Sequence, residues 1–184
     1  MFEKIKPLDS SSVEDAVRLW ADNLNNNGYY QEYFNQINVG DDLYIEFRED
    51  ITYIIRSGLC YGLYKKGVLM SVLLSIDTWK LHNEDEVKFN SIFGTSTPYL
   101  KTLSEYVLSK GPNTIFITAI VTRKQRRTRH YAVKLLQFFD KKIPAGYTVI
   151  TDCADGLERL WERFSYQLMR LECEDKLIIS VKEY

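Results

Sequence analysis

The feature that most constrains the fold of this chain is the run from Thr114 to Thr122, TIFITAIVT, which is almost wholly apolar and rich in β-branched residues. Such a run is typical of a strand that is covered on both faces. An amphipathic segment at about residues 128–142 follows it, and a second apolar run extends from Tyr147 to Asp152. Because a strand, a crossover helix and a strand favour parallel pairing, we expect the strands at 114–122 and 147–152 to be parallel.

Other apolar runs predict strands and helices around this pair. Lys4 to Leu8 is a candidate first strand, and the runs from Leu59 to Lys65 and from Val68 to Ile76, joined at Lys66-Gly67, predict an antiparallel hairpin. The tail predicts a second hairpin, with its turn at Glu174-Asp175. Helical spacing of apolar residues predicts further helices at 11–24, 29–37, 41–58, 98–110 and 156–169.

The segment from Asp77 to Thr97 is polar, lacks a clear period and predicts a long loop. Within it, Trp79 and the acidic run from Glu84 to Glu86 are candidates for binding a cationic amine. The simpler explanation is that these side chains are solvated. The chain contains no repeat, linker or low-complexity tract. We therefore expect a single domain, residues 1–184, of the α+β class, with three layers in which helices flank a mixed, mostly antiparallel central sheet.

Composition excludes several classes of protein. The chain has 184 residues, of which 45% are hydrophobic and 27% are charged, as in globular domains. Its 24 basic and 25 acidic residues leave a net charge of −1, so no overall field attracts it to nucleic acid or to an anionic membrane. The sequence contains neither a signal-peptide core nor a run of about 20 apolar residues, which predicts a cytoplasmic protein without a membrane span.

The cysteines and histidines argue against a metal site. The three cysteines, Cys60, Cys153 and Cys173, are widely spaced and form no Cys-x-x-Cys pair, so we expect reduced and mostly buried thiols. The two histidines, His82 and His130, lie far apart in the sequence, which disfavours a histidine-based metal centre. No metal is expected.

A basic loop, Arg123 to Arg129, holds five cations and separates the apolar strand from the next helix. The free backbone N–H groups of a helix N-terminus favour an anion such as a phosphate group, and an arginine adds a charge-assisted hydrogen bond. Cations at this end of a helix oppose the helix dipole, and a bound anion would offset that cost. The alternatives are a solvated charged turn and a nucleic-acid surface, but no aromatic interleaving or neighbouring basic stripe supports the latter.

The order of elements and the residues around this loop resemble the GNAT superfamily of acyl-CoA N-acyltransferases over nearly the whole chain. The family's motif, Arg/Gln-x-x-Gly-x-Gly/Ala followed by a Leu-Leu pair, aligns with the stretch from Arg127 to Ala132 and with Leu135-Leu136. A weaker match lies at residues 157–169, where Trp161-Glu162 and Ser165-Tyr166 stand in the places of the family's Tyr-Glu and Gly-Phe pairs.

The resemblance implies a GNAT-like sheet in which the parallel strands at 114–122 and 147–152 splay apart, with acetyl-CoA bound as a co-substrate. Backbone groups of Ala119, Ile120 and Val121 would pair with the pantetheine arm of coenzyme A. The pyrophosphate would lie against the motif loop and the start of the following helix. The residues expected there are Arg127, Thr128, Arg129, His130, Tyr131 and Ala132.

The sequence departs from the family pattern at positions that matter for catalysis. His130 replaces the middle glycine of the motif, where the backbone must approach a phosphate closely. Trp161 replaces the tyrosine that protonates the leaving thiolate in many members, and an indole N–H is a poor acid. Ala154 replaces an asparagine often seen seven residues earlier, and the strand before the loop has no glutamate to act as a base. Tyr166 and Cys153 are nearby candidate acids, although packing is the simpler interpretation of both, so we assign no catalytic residue.

The sequence supports three functional hypotheses. The first is an N-acetyltransferase that transfers an acetyl group from acetyl-CoA to a primary amine of a small molecule or protein, by positioning and by oxyanion stabilisation. The second is a catalytically inert binding or structural protein that retains the GNAT fold. The third is a nucleic-acid-associated protein that uses the basic loop at residues 123–129. The partners expected under the first hypothesis are a coenzyme A thioester, an amine acceptor and, in a homodimer, a second copy of the chain.

Overall fold

The computed structural model describes residues 3–24, 41–93, 98–123, 130–153, 156–172 and 177–184. The helix predicted at residues 29–37 lies outside them. The strands are β1 (Glu3–Pro7), β2 (Tyr61–Lys65), β3 (Val68–Asp77), β4 (Thr114–Thr122), β5 (Thr148–Asp152), β6 (Gln167–Leu171) and β7 (Leu177–Glu183). The helices are α1 (Val13–Leu24), α2 (Asp41–Ser57), α3 (Thr78–Glu84), α4 (Glu86–Phe93), α5 (Pro98–Ser109), α6 (Tyr131–Asp140) and α7 (Glu158–Arg163), with a 3₁₀ turn at Ser10–Ser12.

The described strands form one mixed sheet in the order β1-β2-β3-β4-β5-β7-β6. The pairs β1 with β2, β2 with β3, β5 with β7 and β6 with β7 are antiparallel. β4 and β5 are parallel, with Thr114 beside Thr148 and Phe116 beside Ile150. The predicted mixed, mostly antiparallel sheet flanked by helices, with a parallel pair at 114–122 and 147–152, is confirmed.

The chain divides into two compact units. The first consists of Met1–Leu74 and Ala119–Lys141, and the second of Ser75–Thr118 and Lys142–Tyr184. β3 and β4 each continue from one unit into the other. The single domain expected for residues 1–184 stays a prediction.

In the first unit, α6 packs against β2 and its apolar stripe is buried. The ring of Tyr61 on β2 meets the rings of Phe138 and Phe139 edge to face, with centroids 5.1 and 6.5 Å away. Gly62 lies next along β2, and a Cβ at this position would stand only 2.7 Å from a side-chain atom of Leu69. Glycine therefore allows the close packing at this point of the strand. The buried stripe of α6 consists of Tyr131, Leu135, Leu136 and Phe139.

In the second unit, the loop predicted from Asp77 to Thr97 is wrong, because residues 78–93 form α3 and α4. Asp77 and Asp85 cap these helices, each accepting a hydrogen bond at 2.9 Å from the backbone N–H three residues later. The two helices were not predicted because the segment is polar. The aspartates that suggested a loop are the N-cap residues of the helices. The helices bury Leu81, Phe89 and Phe93.

The helix predicted at 156–169 is wrong in its second half, because α7 is followed at once by β6. Ser165 has a left-handed backbone, with φ of 63°. The N–H of Tyr166 donates to the carbonyl oxygen of Trp161 at 3.1 Å, and the N–H of Ser165 donates to that of Glu162 at 2.9 Å. This pair of bonds is a Schellman C-cap, in which a left-handed residue, usually glycine, ends the helix. Serine occupies that position here, so the stop was not evident in the sequence.

Candidate functional site

β4 changes from buried to partly exposed along its length. Its first four residues are buried, whereas Thr118, Ala119 and Ile120 are half-buried. Val121 is buried again, with an exposed fraction of 8%. The strand is therefore covered on both faces only in its first half, and the residues predicted to pair with a pantetheine arm lie where the cover opens.

The parallel pairing of β4 with β5 stops before either strand ends. The last paired residues are Phe116 and Ile150, although both strands continue beyond them. The Thr151 hydroxyl then donates to the carbonyl oxygen of Ile117 at 3.1 Å. In a continuing ladder, a backbone N–H would donate this hydrogen bond. Here a side chain donates it instead, so the two strands separate at this point. This register agrees with the predicted splay.

The backbone faces β5 at the start of β4 and β3 just beyond its end. The carbonyl oxygen of Asn113 accepts from the N–H of Thr148 at 3.0 Å, and that of Ile117 also faces β5. Arg123, which follows the last residue of β4, donates its N–H to the carbonyl oxygen of Met70 on β3 at 3.0 Å.

Side chains hold the end of β4 against β3 in the first unit. The buried Ser71 hydroxyl donates to the carbonyl oxygen of Val121 at 2.8 Å and lies 2.7 Å from the Thr122 hydroxyl. The Nε of Arg123 donates to the carbonyl oxygen of Leu69 at 2.7 Å. The first cation of the basic loop is thus bound to the sheet. The rest of the loop, residues 124–129 with Arg127, Thr128 and Arg129, lies outside the described residues.

α6 begins directly after a left-handed residue. His130 is exposed, has φ of 55° and ψ of 32°, and makes no side-chain capping bond. The Lys134 N–H donates to the carbonyl oxygen of His130 at 3.1 Å and is the first to bond within the helix. The N–H groups of Tyr131, Ala132 and Val133 therefore have no acceptor in the helix. Such a group of N–H donors favours a bound anion.

The structure places all the described candidate residues in the first unit. Tyr131 is fully buried, and its hydroxyl has no hydrogen-bond partner among the described residues. Ala132 is half-buried and His130 is exposed. The candidates with a described position are Ala119, Ile120, Val121, His130, Tyr131 and Ala132. Their role in binding stays a prediction.

We expect replacement of His130 by glycine to stabilise the protein by about 1 kcal/mol. A left-handed backbone costs a residue with a side chain about 1–2 kcal/mol, and the greater freedom of glycine in the unfolded chain offsets about half of this gain. Urea unfolding of His130→Gly measures the change. Gln137→Gly is the matched control, because Gln137 is exposed within α6 and glycine there should destabilise by about 0.5–1 kcal/mol. Destabilisation by both substitutions would contradict the expectation.

The second unit contains the other positions that the sequence singled out. Trp161 is buried, with an exposed fraction of 4%, and its Nε1–H has no acceptor among the described residues. Its ring lies 5.1 Å from that of Tyr166, whose hydroxyl is 3.4 Å from the hydroxyl of Tyr184. Cys153 is buried, and its backbone N–H donates to the carbonyl oxygen of Ile178 at 2.8 Å. This burial supports the packing interpretation of Tyr166 and Cys153.

A polar pair in the second unit was missed by the sequence analysis. Asp152, the last residue of β5, accepts a hydrogen bond from the hydroxyl of Tyr99 on α5 at 3.2 Å. Burial raises the pKa of Asp152, and the hydrogen bond from Tyr99 opposes this rise. The signal that points to Asp152 is an acidic residue at the carboxyl end of a buried parallel strand, where ligands of α/β sheets often bind.

Several other expectations concern cysteines, metals and membranes. Cys60 and Cys153 are buried and outside any disulfide, as predicted, and Cys173 lies outside the described residues. In the described ranges, no three or more potential ligand side chains are grouped so that they could hold a metal ion. Of the helices that the structure describes, none has both the length and the apolar character needed to cross a membrane.

Comparison with solved structures identifies the architecture. No sequence profile of a protein family and no curated protein matches the sequence. An acetyltransferase from Corynebacterium glutamicum, described as histone acetyltransferase HPA2 and related acetyltransferase, has a TM-score of 0.67 at 13% identity over 100% of this chain and 97% of its own. The polyamine N-acetyltransferase of Drosophila melanogaster, which forms N-acetylagmatine, has a TM-score of 0.64 at 14% identity over 100% of both chains.

A third similar structure contains coenzyme A. It is the PaiA N-acetyltransferase of Thermoplasma acidophilum, with a TM-score of 0.57 at 10% identity over 100% of both chains. All these proteins are GNAT-family N-acetyltransferases. This chain has the GNAT fold. At such low sequence identity the likeness establishes the fold and leaves the activity to be argued from the residues.

Two residues that the sequence analysis aligns with family glycines have left-handed backbones. In that predicted alignment, His130 corresponds to the middle glycine of the motif and Ser165 to the glycine of the later segment. Their φ angles of 55° and 63° lie in the region that favours glycine. These angles agree with the alignment, which stays a prediction.

Proposed function

We propose that the protein is an N-acetyltransferase that transfers an acetyl group from acetyl-CoA to a primary amine of a small molecule or protein. The observation that carries the proposal is the left-handed start of α6, with three N–H groups that have no acceptor within the helix, in a chain with the GNAT fold. One of the similar GNAT structures was determined in complex with coenzyme A. The proposal covers the donor and the reaction type and leaves the acceptor open.

The first unit supplies the groups that would hold coenzyme A. The N–H groups of Tyr131, Ala132 and Val133 have no acceptor within α6 and suit the pyrophosphate. Arg127 and Arg129, which precede this helix in the sequence, would add charge-assisted hydrogen bonds. His130 has a left-handed backbone, which suits glycine, and carries an exposed imidazole.

The end of β4 would position the reacting part of the donor. Acetyl-CoA, when bound, supplies a thioester carbonyl that is open to attack by an amine. Ala119 and Ile120, which are half-buried and lie beyond the residues that pair with β5, would offer backbone N–H groups to the pantetheine arm and to the oxygen of that carbonyl. Because Ser71 and Arg123 anchor the strand end to β3, these groups are held in place before the ligand arrives.

A catalytically inert GNAT protein is the second candidate, and one observation favours it. Trp161 stands at the place of the family's acid tyrosine, and its indole N–H cannot protonate a thiolate at neutral pH. An inert protein of this kind would bind coenzyme A or would have lost the site. Transfer of acetyl groups by the protein would exclude this candidate.

Thermal unfolding with acetyl-CoA tests the donor site. A ligand present at about a hundredfold excess over its dissociation constant stabilises the folded state by about 2.7 kcal/mol, which raises the midpoint by roughly 5–10 °C for a domain of this size. We expect such a rise at millimolar acetyl-CoA. The matched control is the same concentration of acetylated pantetheine without its nucleotide, which should give a much smaller rise because it lacks the pyrophosphate.

Release of free coenzyme A then tests transfer. The acceptors offered are agmatine, spermidine and a lysine-containing peptide, because the Drosophila GNAT structure is that of a polyamine N-acetyltransferase. A midpoint that rises with acetyl-CoA but no release with any acceptor would support the inert candidate. No rise at all would overturn both the donor site and the enzyme.

A further inference from the structure

β6 is the outermost strand of the sheet in the second unit, and its outer edge is unpaired. It pairs with β7 in a continuous antiparallel register, and no described strand lies on its other side. An edge strand presents a row of backbone N–H and C=O groups with which another chain can pair. The exposed residues of β6 are Gln167, Met169 and Arg170.

The register of the neighbouring strands determines which backbone groups of β6 face outward. The carbonyl oxygen of Ile178 accepts a hydrogen bond at 2.8 Å from the residue that follows β5, so the backbone of Ile178 faces β5. Because the direction alternates along a strand, Ile179 faces β6, where its Cα partner is Met169. Met169 is therefore bonded to β7, whereas Leu168 and Arg170 direct their backbone groups to the open edge.

β1, the strand at the other edge of the sheet, is poorly suited to such pairing. The Leu8 N–H donates to the carbonyl oxygen of Cys60 at 2.9 Å, so Leu8 faces inward and Pro7 before it faces outward. Proline has no N–H to donate, and its presence on an edge strand blocks pairing with another chain. β6 contains no proline, so its edge can still accept a further strand.

Arg170 and Glu172 make the edge of β6 complementary to itself. Both are exposed, and residues two apart along a strand share a face. If two copies of β6 pair antiparallel about an axis at Leu171, Arg170 of each copy lies opposite Glu172 of the other. An axis at Arg170 would instead place two arginines opposite each other. Opposite charges across an antiparallel pair stabilise it and like charges destabilise it, so the axis at Leu171 is favoured.

We propose that a second copy of this chain docks on the open edge of β6, antiparallel about Leu171, to form a symmetric dimer. Backbone hydrogen bonds and ion pairs would then join Arg170 of each copy to Glu172 of the other. A second copy suits the edge better than a foreign strand, because a two-fold interface makes each of these contacts twice. The interface requires neither the donor site nor an acceptor, so it is independent of the proposed function.

Analytical ultracentrifugation of the full-length protein tests the dimer and its register. We expect the wild type to dimerise at high micromolar concentration. Arg170→Glu and Glu172→Arg should each weaken dimerisation about tenfold or more, because each places like charges opposite each other on both sides of the axis. The double variant Arg170→Glu/Glu172→Arg should restore it. Arg163→Glu, at an exposed position on α7, is the matched control and should leave the dimer unchanged.

Amide hydrogen exchange of the wild type tests the same interface at the backbone. The N–H groups of Arg170 and Glu172 should exchange more slowly at high than at low protein concentration, whereas that of Met169, which is bonded to β7 in either state, should not respond. Circular dichroism checks that each variant is folded. A wild type that stays monomeric, a dimer that neither single variant weakens, or a folded double variant that fails to associate would overturn the proposal.

Discussion

Replacement of Arg127 by alanine is expected to weaken coenzyme A binding about ten- to a hundredfold. In the predicted alignment, Arg127 stands at the first position of the GNAT motif, three residues before the left-handed His130 that precedes α6. A hydrogen bond to a charged group contributes about 1.5–3 kcal/mol, and the lost bond would be one to the pyrophosphate. Calorimetric titration of Arg127→Ala with coenzyme A measures the loss directly.

Lys124→Ala is the matched control for this substitution. Lys124 follows directly after Arg123, whose side chain and backbone are bound to β3, so it lies near the end of the strand in sequence and away from the motif. A solvated cation changes affinity by less than about 1 kcal/mol. Equal losses of coenzyme A affinity in both variants would mean that the motif is aligned wrongly.

A short oligonucleotide distinguishes the nucleic-acid hypothesis in the same experiment. If the basic loop faces a nucleic-acid backbone, each cation contributes similarly, and each substitution lowers the salt slope by about one. Arg127→Ala and Lys124→Ala would then weaken oligonucleotide binding alike. We expect no salt-dependent binding of the oligonucleotide by the wild type.

The core of the fold could be predicted from the sequence because hydrophobic patterning determines it. The run from Thr114 to Thr122 and the run that ends at Asp152 pair in parallel around the crossover helix α6, as their apolar character indicated. α3 and α4 were missed because their start signals, Asp77 and Asp85, are also typical of loops. A polar segment with only a few apolar side chains becomes helical when N-caps and tertiary packing act together.

The two left-handed residues were not evident in the sequence, and the reason is physical. Glycine is the residue that marks a left-handed position most clearly, and here His130 and Ser165 take that conformation. Each costs about 1 kcal/mol or more, which a fold with a well-packed core can sustain. The residue types therefore do not reveal these two positions.

The donor-site candidates and the buried Asp152 differ in how far the sequence could disclose them. The donor site depends on a local motif, so its candidates could be read from consecutive residues. Asp152 gains its character from burial and from a hydroxyl at Tyr99, 53 residues away in the sequence. Such a partner depends on tertiary structure, and no spacing rule indicates it.

Replacement of Asp152 by asparagine is expected to stabilise the protein at neutral pH. The pKa of Asp152 is raised in the folded state by burial, so the protonated form contributes stability that is fully present below the unfolded value of about 3.9 and is lost as the pH rises through the folded pKa. Asparagine keeps the acceptor for Tyr99 and carries no charge. Because an unpaired buried charge costs at least about 1 kcal/mol, the unfolding midpoint should rise by about 2–4 °C.

The pH dependence of this gain tests its cause. Below about pH 3.9, the unfolded pKa of an aspartate, Asp152 is protonated in both the folded and the unfolded wild type, and the difference between the two proteins should nearly vanish. Glu105→Gln should show no such pH-dependent difference, since Glu105 is exposed. If Asp152→Asn is instead less stable than the wild type at neutral pH, the carboxylate makes a stabilising ionic contact in the folded protein.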